Sequence, residues 1–141
     1  TEDSVFNFGK FVFGSDGSKK DGIIVREDGK VHMNGRAVFS FTVRIIPNSI
    51  REMLKNNGVK LEKVDRFLLH QGSLHIVNSI ADSLGVPREI CPFDSANFGN
   101  TVSSSVPMIL SNEFENPKMK IAVIAGFGVG LSWGSTLIFR R

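Results

Sequence analysis

The sequence predicts an α/β fold in which a sheet is layered against helices. Two observations support this prediction: short apolar runs of strand length recur along the chain, and the stretches between them repeat apolar residues at helical spacing. With 141 residues, of which 41% are hydrophobic and 22% charged, the chain can bury the core of one domain. The predicted order of elements is β-β-α-β-α-β-α-β-β, without internal repeats.

The first half of the chain is predicted to hold two strands and then a long helical segment. Phe11–Phe13 precedes a glycine-rich turn, and Gly22–Arg26 has the composition of a second strand. Residues 37–57 carry apolar side chains at broadly helical spacing. Pro47 lies inside this segment, so we expect a kink or a division into two helices there.

The second half alternates strands and helices more regularly. Its predicted elements are a strand at Arg66–Leu69, a helix from Ser73 to Leu84, a strand at Ile90–Phe93 weakened by Pro92, a helix from Thr101 to about Phe114, and strands at Ile121–Ala125 and Ser135–Phe139. The last two strands flank a glycine-rich turn.

Composition excludes several functional classes. A net charge of +3, without a cluster of basic residues interleaved with aromatics, predicts no nucleic-acid partner. The single cysteine, Cys91, excludes an internal disulfide and favours a reducing compartment such as the cytoplasm. No apolar run reaches the ~18 residues that span a bilayer, so we expect no membrane partner. The chain begins with no signal peptide and at Thr1, which suggests a piece of a longer protein.

His70 and Asn100 are the candidate functional residues that the pattern singles out. Each lies where a predicted strand gives way to a helix. In an open α/β sheet these positions line the crevice at the carboxyl ends of the strands, where ligands bind. An imidazole and an amide there could both donate to one carbonyl oxygen that gains negative charge. A structural histidine and a helix-capping asparagine remain the alternatives.

The glycine-rich segment from Ala125 to Ser135 has three interpretations. A dinucleotide loop would need glycine at Leu131 and a following helix, but a strand follows, so that interpretation fails. A tight hairpin that lets its backbone approach a ligand, or a simple turn, remains. The three histidines form no ligand cluster with Asp, Glu or Cys, and we predict no metal site.

Four segments resemble the C-terminal half of β-ketoacyl-acyl carrier protein synthase III. They are "MNGRAVFSF" from Met33, "HQGSLHI" from His70, "GNTVSSSVP" from Gly99 and "GFGVGLSWGS" from Gly126, and the resemblance that they mark extends over essentially the whole chain. The resemblance implies a thiolase-like half-domain over residues 1–141, with a mixed five-stranded sheet and helices on its faces. A similar first half, carrying a nucleophilic cysteine, is expected to be missing from this chain.

The resemblance also implies a reaction. Members of the family condense an acyl thioester, usually acyl-coenzyme A, with malonyl-acyl carrier protein by decarboxylative Claisen condensation. His70 and Asn100, 100 − 70 = 30 residues apart, match the pair that stabilises the malonyl enolate. No cofactor is implied, since coenzyme A and the carrier's phosphopantetheine arrive as substrates. The implied partners are the N-terminal half, the acyl carrier protein, acyl-coenzyme A and a second copy in a full-length homodimer.

Further residues take substrate-binding roles by the same resemblance. Phe39 and Gly72 match positions of the pantetheine channel, and Ser73, Gly128 and Val129 match positions near the thioester and its oxyanion hole. Core packing is the alternative for Phe39. The sequence departs from the family where Ser73 replaces a common Asn, His75 replaces a carrier-docking Arg and Val129 replaces a glycine. Cys91 matches no motif and is expected to be a small buried side chain, so this chain alone is expected to be inactive.

Two other functions remain open. One is acyl transfer to a hydroxyl or amine without decarboxylation, with His70 as general base. The other is a non-catalytic interaction or dimerisation domain that has kept the fold. Without its first half, the chain is expected to expose an apolar face and to self-associate.

Overall fold

The computed structural model describes residues 4–141. In chain order its regular elements are β1 (Phe6–Phe8), β2 (Val12–Ser15), β3 (Ile23–Val25), β4 (Val31–Met33), α1 (Gly35–Asn56), β5 (Arg66–Leu69), α2 (Leu74–Leu84), α3 (Ser105–Glu113), β6 (Ile121–Gly128) and β7 (Ser132–Arg140). Short 3₁₀ turns connect several of them. None of the helices in this range is long and apolar enough to cross a membrane.

Five strands form one mixed sheet. Both β1 and β2 pair antiparallel with β7, which pairs antiparallel with β6, and β6 pairs parallel with β5. The remaining two strands, β3 and β4, form a separate antiparallel hairpin. The predicted α/β class and the mixed five-stranded sheet are confirmed.

The two faces of the sheet are covered by different helices. Phe67 and Leu69 of β5 belong to the larger buried cluster, which includes Ile50 of α1 and Ile80 of α2. Leu68, between them, belongs to a second buried cluster with Ile109 of α3. Successive side chains of a strand point to opposite faces, so this alternation places α1 and α2 on one side and α3 on the other.

The long helix α1 runs through Pro47 without a break, so the expectation of two helices is wrong. A proline inside a helix removes one backbone hydrogen bond but fits where packing holds the flanking turns. Here Ile46, Pro47 and Ile50 are all buried against the sheet. The helix begins at a cap in which Asn34 Oδ1 accepts the N–H of Ala37 at 3.0 Å.

Other predicted boundaries also need correction. Residues 90–93 are not a strand: a 3₁₀ turn occupies Arg88–Ile90, and the carbonyl of Pro92 accepts a side-chain hydrogen bond instead of a ladder bond. The last helix, expected from Thr101, begins at Ser105 after a 3₁₀ turn at Val102–Ser104. The strands β1 and β4 were not predicted, because each has a polar residue between two apolar ones within only three residues, whereas β3, of the same length, is an unbroken apolar run.

Several aromatic side chains near the N-terminus face solvent. Phe8, Phe11 and Phe13 are 64%, 58% and 79% exposed, and the rings of Phe8 and Phe11 stack with centroids 5.9 Å apart. They belong to β1, β2 and the link between them, at the edge of the sheet. This surface agrees with the expected exposed apolar face, while self-association stays a prediction.

Candidate functional site

A cavity of about 110 Å³ lies between the start of α1, the β3–β4 hairpin and the carboxyl end of β5. Its wall is mostly apolar, and its polar side chains are those of Thr42, His70 and Asn100. His70 and Asn100 are therefore brought to one cavity from positions 30 residues apart in the chain (100 − 70 = 30). Apolar walls with a few converging polar groups are typical of a small-molecule site.

His70 directly follows β5 and extends its pairing with β6, since its N–H donates to the carbonyl of Ala125 at 2.8 Å. The ring is half-buried and meets the ring of Phe127 edge-on, with centroids 5.2 Å apart. Burial lowers the pKa of His70 below its ordinary 6.5, and the carbonyl of Val102 offsets part of this effect. The imidazole is therefore neutral at pH 7.

Asn100 lies in the loop before α3 and is fixed by its own side chain. Its Oδ1 accepts the N–H of Val102 at 2.9 Å. Within residues 4–141 its Nδ2 has no hydrogen-bond partner, so both amide protons are available to a ligand in the cavity. The structure thus keeps the donor end of this amide free and uses only the acceptor end.

Val102 links the two polar residues through a strained backbone. It has φ +54°, and among the described residues no other non-glycine residue has a positive φ. A β-branched residue is rarely found in this region, which costs roughly 1–2 kcal/mol. The conformation is held by Asn100 Oδ1 on the Val102 N–H and by Ser105 Oγ, 2.9 Å from the Val102 carbonyl oxygen.

Gln71 explains why an apolar strand ends in a second polar residue. Its side chain is only 2% exposed, and its Nε2 donates to the carbonyls of Leu69 and Pro92 at 2.8 and 3.3 Å. Its Oε1 accepts the N–H of Asp94 at 3.0 Å. Gln71 therefore fastens residues 92–94 to the end of β5. No role for Gln71 was predicted from the sequence.

The predicted substrate-binding residues divide into two groups. Gly72 and Gly128 line the cavity with His70 and Asn100. Phe39 stacks on His75 with ring centroids 4.8 Å apart, Ser73 caps α2 by accepting the N–H of Ile76, and Val129 is 68% exposed in the β6–β7 turn. These three do not line the cavity, and substrate binding by any of the five stays a prediction.

Other residues around the cavity were not predicted. Phe127 precedes Gly128 within the quoted glycine-rich segment, and its ring packs against His70. Ser105 lies within "GNTVSSSVP", where three successive serines give no signal as to which one faces His70. Ile23 and Met33 come from the β3–β4 hairpin, and no local pattern connects a hairpin with a distant strand end.

Cys91 lies outside this wall. Its side chain is 3% exposed, and burial raises the pKa of the thiol to about 12. A thiol that stays protonated at neutral pH is a poor nucleophile. The expectation that Cys91 is a small buried side chain is confirmed.

The topology and the placement of the cavity at the carboxyl ends of β5 and β6 define a thiolase-like α/β domain. The family described as "3-Oxoacyl-[acyl-carrier-protein (ACP)] synthase III C terminal" matches residues 54–139, more than half of the chain. The chain belongs to this family.

Relatives and solved structures agree with this assignment. The chain is 37% identical over 132 residues to the β-ketoacyl-acyl carrier protein synthase III of Staphylococcus epidermidis. This alignment covers 91% of this chain and 42% of that protein. It is 33% identical to the synthase III of Clostridium perfringens, over 88% of this chain and 44% of that one. The chain thus spans less than half the length of these relatives.

Among solved structures, the synthase III of Aquifex aeolicus superposes with a TM-score of 0.90 at 28% identity, over 97% of this chain and 46% of that one. A priming β-ketosynthase from the R1128 polyketide pathway superposes with a TM-score of 0.85 at 27% identity, over 95% of this chain and 45% of that one.

Proposed function

We propose that this chain is the C-terminal part of an acyltransferase that condenses an acyl thioester, such as acyl-coenzyme A, with malonyl-acyl carrier protein. The observation that carries the proposal is the meeting of His70 and Asn100 at one cavity in a member of the synthase III family. The nucleophilic cysteine that takes the acyl group belongs, in this proposal, to an N-terminal half. The chain alone is then inactive.

The proposed chemistry places negative charge where these two residues converge. When the malonyl thioester loses carbon dioxide, the electron pair of the broken C–C bond moves into an enolate whose charge rests on the thioester oxygen. The Nδ2 protons of Asn100 and a proton on the His70 ring then stabilise that oxygen. Fixed donors in a site with apolar walls stabilise such charge better than water does. The carbanion attacks the acyl-cysteine carbonyl and expels the thiolate.

The substrate path and the partners follow from the same proposal. Phosphopantetheine, on coenzyme A or on the carrier protein, reaches the cavity past Gly72 and Gly128, where the missing side chains leave room. Phe39, Ser73 and Val129 then act at the entrance rather than at the cavity wall. The complete enzyme works as a homodimer in the cytoplasm, and no further cofactor is needed.

The test uses the intact protein that carries this chain. We expect His70→Ala to lower the rate of malonyl-thioester decarboxylation by about 10²–10³-fold, as the loss of an oxyanion donor does. Asn100→Asp keeps Oδ1 to accept the Val102 N–H but replaces the donating NH₂ by an oxygen. It should lower the rate at least as much.

Asn48→Asp is the matched control, because Asn48 is an exposed amide that donates to the carbonyl of Arg44 within α1 and does not line the cavity. Its decarboxylation rate should stay within about twofold of the wild type, since no oxyanion donor is removed. Near-wild-type decarboxylation in His70→Ala or Asn100→Asp would remove the roles assigned to these residues.

Acyl transfer without decarboxylation is the second candidate. The observation in its favour is that burial keeps His70 neutral at pH 7, and a neutral imidazole can act as a general base. Mass spectrometry of the intact protein after incubation with acyl thioesters would detect the acyl-enzyme common to both reactions. Release of carbon dioxide then separates them. No acyl adduct with any thioester would favour a non-catalytic interaction domain.

A further inference from the structure

A buried hydroxyl holds the His70 ring from the side of α3. Ser105 is only 2% exposed, and its Oγ lies 2.7 Å from His70 Nδ1. The same oxygen accepts the N–H of Gln71 at 3.4 Å and lies 2.9 Å from the carbonyl oxygen of Val102. Because a carbonyl oxygen carries no proton, the hydroxyl must be the donor in the Val102 contact.

The single proton of Ser105 allows two arrangements of this cluster. If Oγ–H donates to the Val102 carbonyl, the contact at 2.7 Å requires a proton on His70 Nδ1, and Nδ1–H donates to Oγ. If Oγ–H instead donates to Nδ1, the contact with the Val102 carbonyl is lost. The first arrangement makes one more hydrogen bond in a buried place, which favours it.

We propose that Ser105 is a positioning residue that fixes His70 in the tautomer with its proton on Nδ1. The neutral ring then presents the lone pair of Nε2, a proton acceptor, to the cavity. Nε2 becomes a donor only after it takes up a proton from a bound reactant or from water, when the ring becomes a cation. The tautomer is inferred from the hydrogen bonds alone, whereas its effect on catalysis rests on the proposed function.

The consequence is that His70 and Asn100 are not equivalent as hydrogen-bond donors in the cavity. Asn100 is a permanent donor, because Val102 N–H occupies its oxygen and leaves the NH₂ free. His70 is a conditional donor, which must accept a proton before it can stabilise a negative oxygen. Protonation is compatible with the cluster, because the Nδ1–H to Ser105 bond is the same in the neutral and the cationic ring.

The tautomer can be measured directly. Long-range ¹H–¹⁵N correlation of the ¹⁵N-labelled intact protein at a pH of about 8, where histidine is neutral, shows which ring nitrogen carries the proton. His70→Gln identifies the His70 signals by their loss. We expect protonated Nδ1 and bare Nε2, in a ratio of roughly five to one or more, as one additional hydrogen bond gives. A majority of protonated Nε2 would overturn the proposal, and this measurement needs no folded variant of Ser105.

Variants of the serines test whether Ser105 sets the tautomer of His70. Ser105→Ala should raise the Nε2–H population several-fold, and Ser105→Thr, which keeps the hydroxyl, should preserve Nδ1–H. Ser104→Ala is the matched control, because Ser104 is the exposed neighbour and the hydroxyl that meets His70 Nδ1 belongs to Ser105. An unchanged tautomer ratio in a folded Ser105→Ala protein would overturn the role of Ser105. If the His70 ring carries its proton on Nδ1 but the intact protein releases no carbon dioxide from malonyl thioester, the proposed function is refuted and the positioning role of Ser105 is supported.

Discussion

Replacing the buried Gln71 should measure how firmly the end of β5 is tied to the segment that follows α2. Gln71→Leu keeps a similar volume but removes three hydrogen bonds, to Leu69, Pro92 and Asp94, at 2.8, 3.3 and 3.0 Å. At about 1 kcal/mol for each bond, the free energy of unfolding should fall by about 3 kcal/mol. Since the bond to Pro92 is long and contributes less, the expected fall is at least about 2 kcal/mol. Urea unfolding at neutral pH gives the change as a shift of the midpoint at an unchanged slope.

The matched control is an amide that bonds once and at the surface. Asn48 is exposed and donates to the carbonyl of Arg44 at 3.0 Å within α1. Asn48→Ala should change the free energy of unfolding by less than about 0.5 kcal/mol, since an exposed bond exchanges with water. A loss below about 1 kcal/mol in Gln71→Leu would refute the reasoning, because it would mean that residues 92–94 do not depend on the buried amide.

Two further predictions concern His70 and Val102. Burial lowers the pKa of His70 in the folded protein below 6.5, so the unfolded chain binds more protons than the folded chain in this pH range. The contribution of His70 to the free energy of unfolding is therefore complete above pH 6.5, and it is lost as the pH falls toward the lowered pKa. Unfolding free energies across this window should fall less steeply in His70→Gln than in the wild type, and equal slopes would contradict the shift. Val102→Gly should raise the free energy of unfolding by about 0.5–1 kcal/mol, because glycine adopts φ +54° without strain and the exposed valine side chain contributes little packing. Thermal or urea unfolding showing destabilisation instead would mean that the backbone is not strained there.

The sequence was sufficient for elements whose pattern is long or whose ends carry strong signals. The helix α2 was predicted within one residue because its apolar residues repeat regularly between the cap Ser73 and the left-handed Gly85. The strand β5 was predicted with its observed bounds. The division of the helix at Pro47 was wrongly expected, because helix propensity counts only the backbone hydrogen bond that proline removes. The burial of the surrounding turns, which holds the helix together, depends on the sheet beneath them.

Of the three polar residues in the cavity wall, His70 and Asn100 were predictable, whereas Thr42 and the contacts that hold the site were not. His70 and Asn100 could be found because strand ends and helix starts carry chemistry in α/β folds. Ser105 and Val102 could not, since their roles depend on a contact between residues 35 positions apart in the chain and on one backbone angle. A run of three serines looks the same whichever of them is buried.

The alternation of β5 accounts for the placement of both polar residues that follow it. Phe67 and Leu69 face α1 and α2, whereas Leu68 faces α3. Continuing this period of two turns His70 and Gln71 to opposite faces. The His70 ring meets Ser105 of α3 and, at the end of the sheet, also borders the cavity beside the start of α1, whereas Gln71 binds residues 92–94. One step of the strand therefore separates the residue that faces a ligand from the residue that secures the loop. A shift of β5 by one residue would exchange these faces, so the parallel pairing of β5 with β6 is itself a requirement of the site.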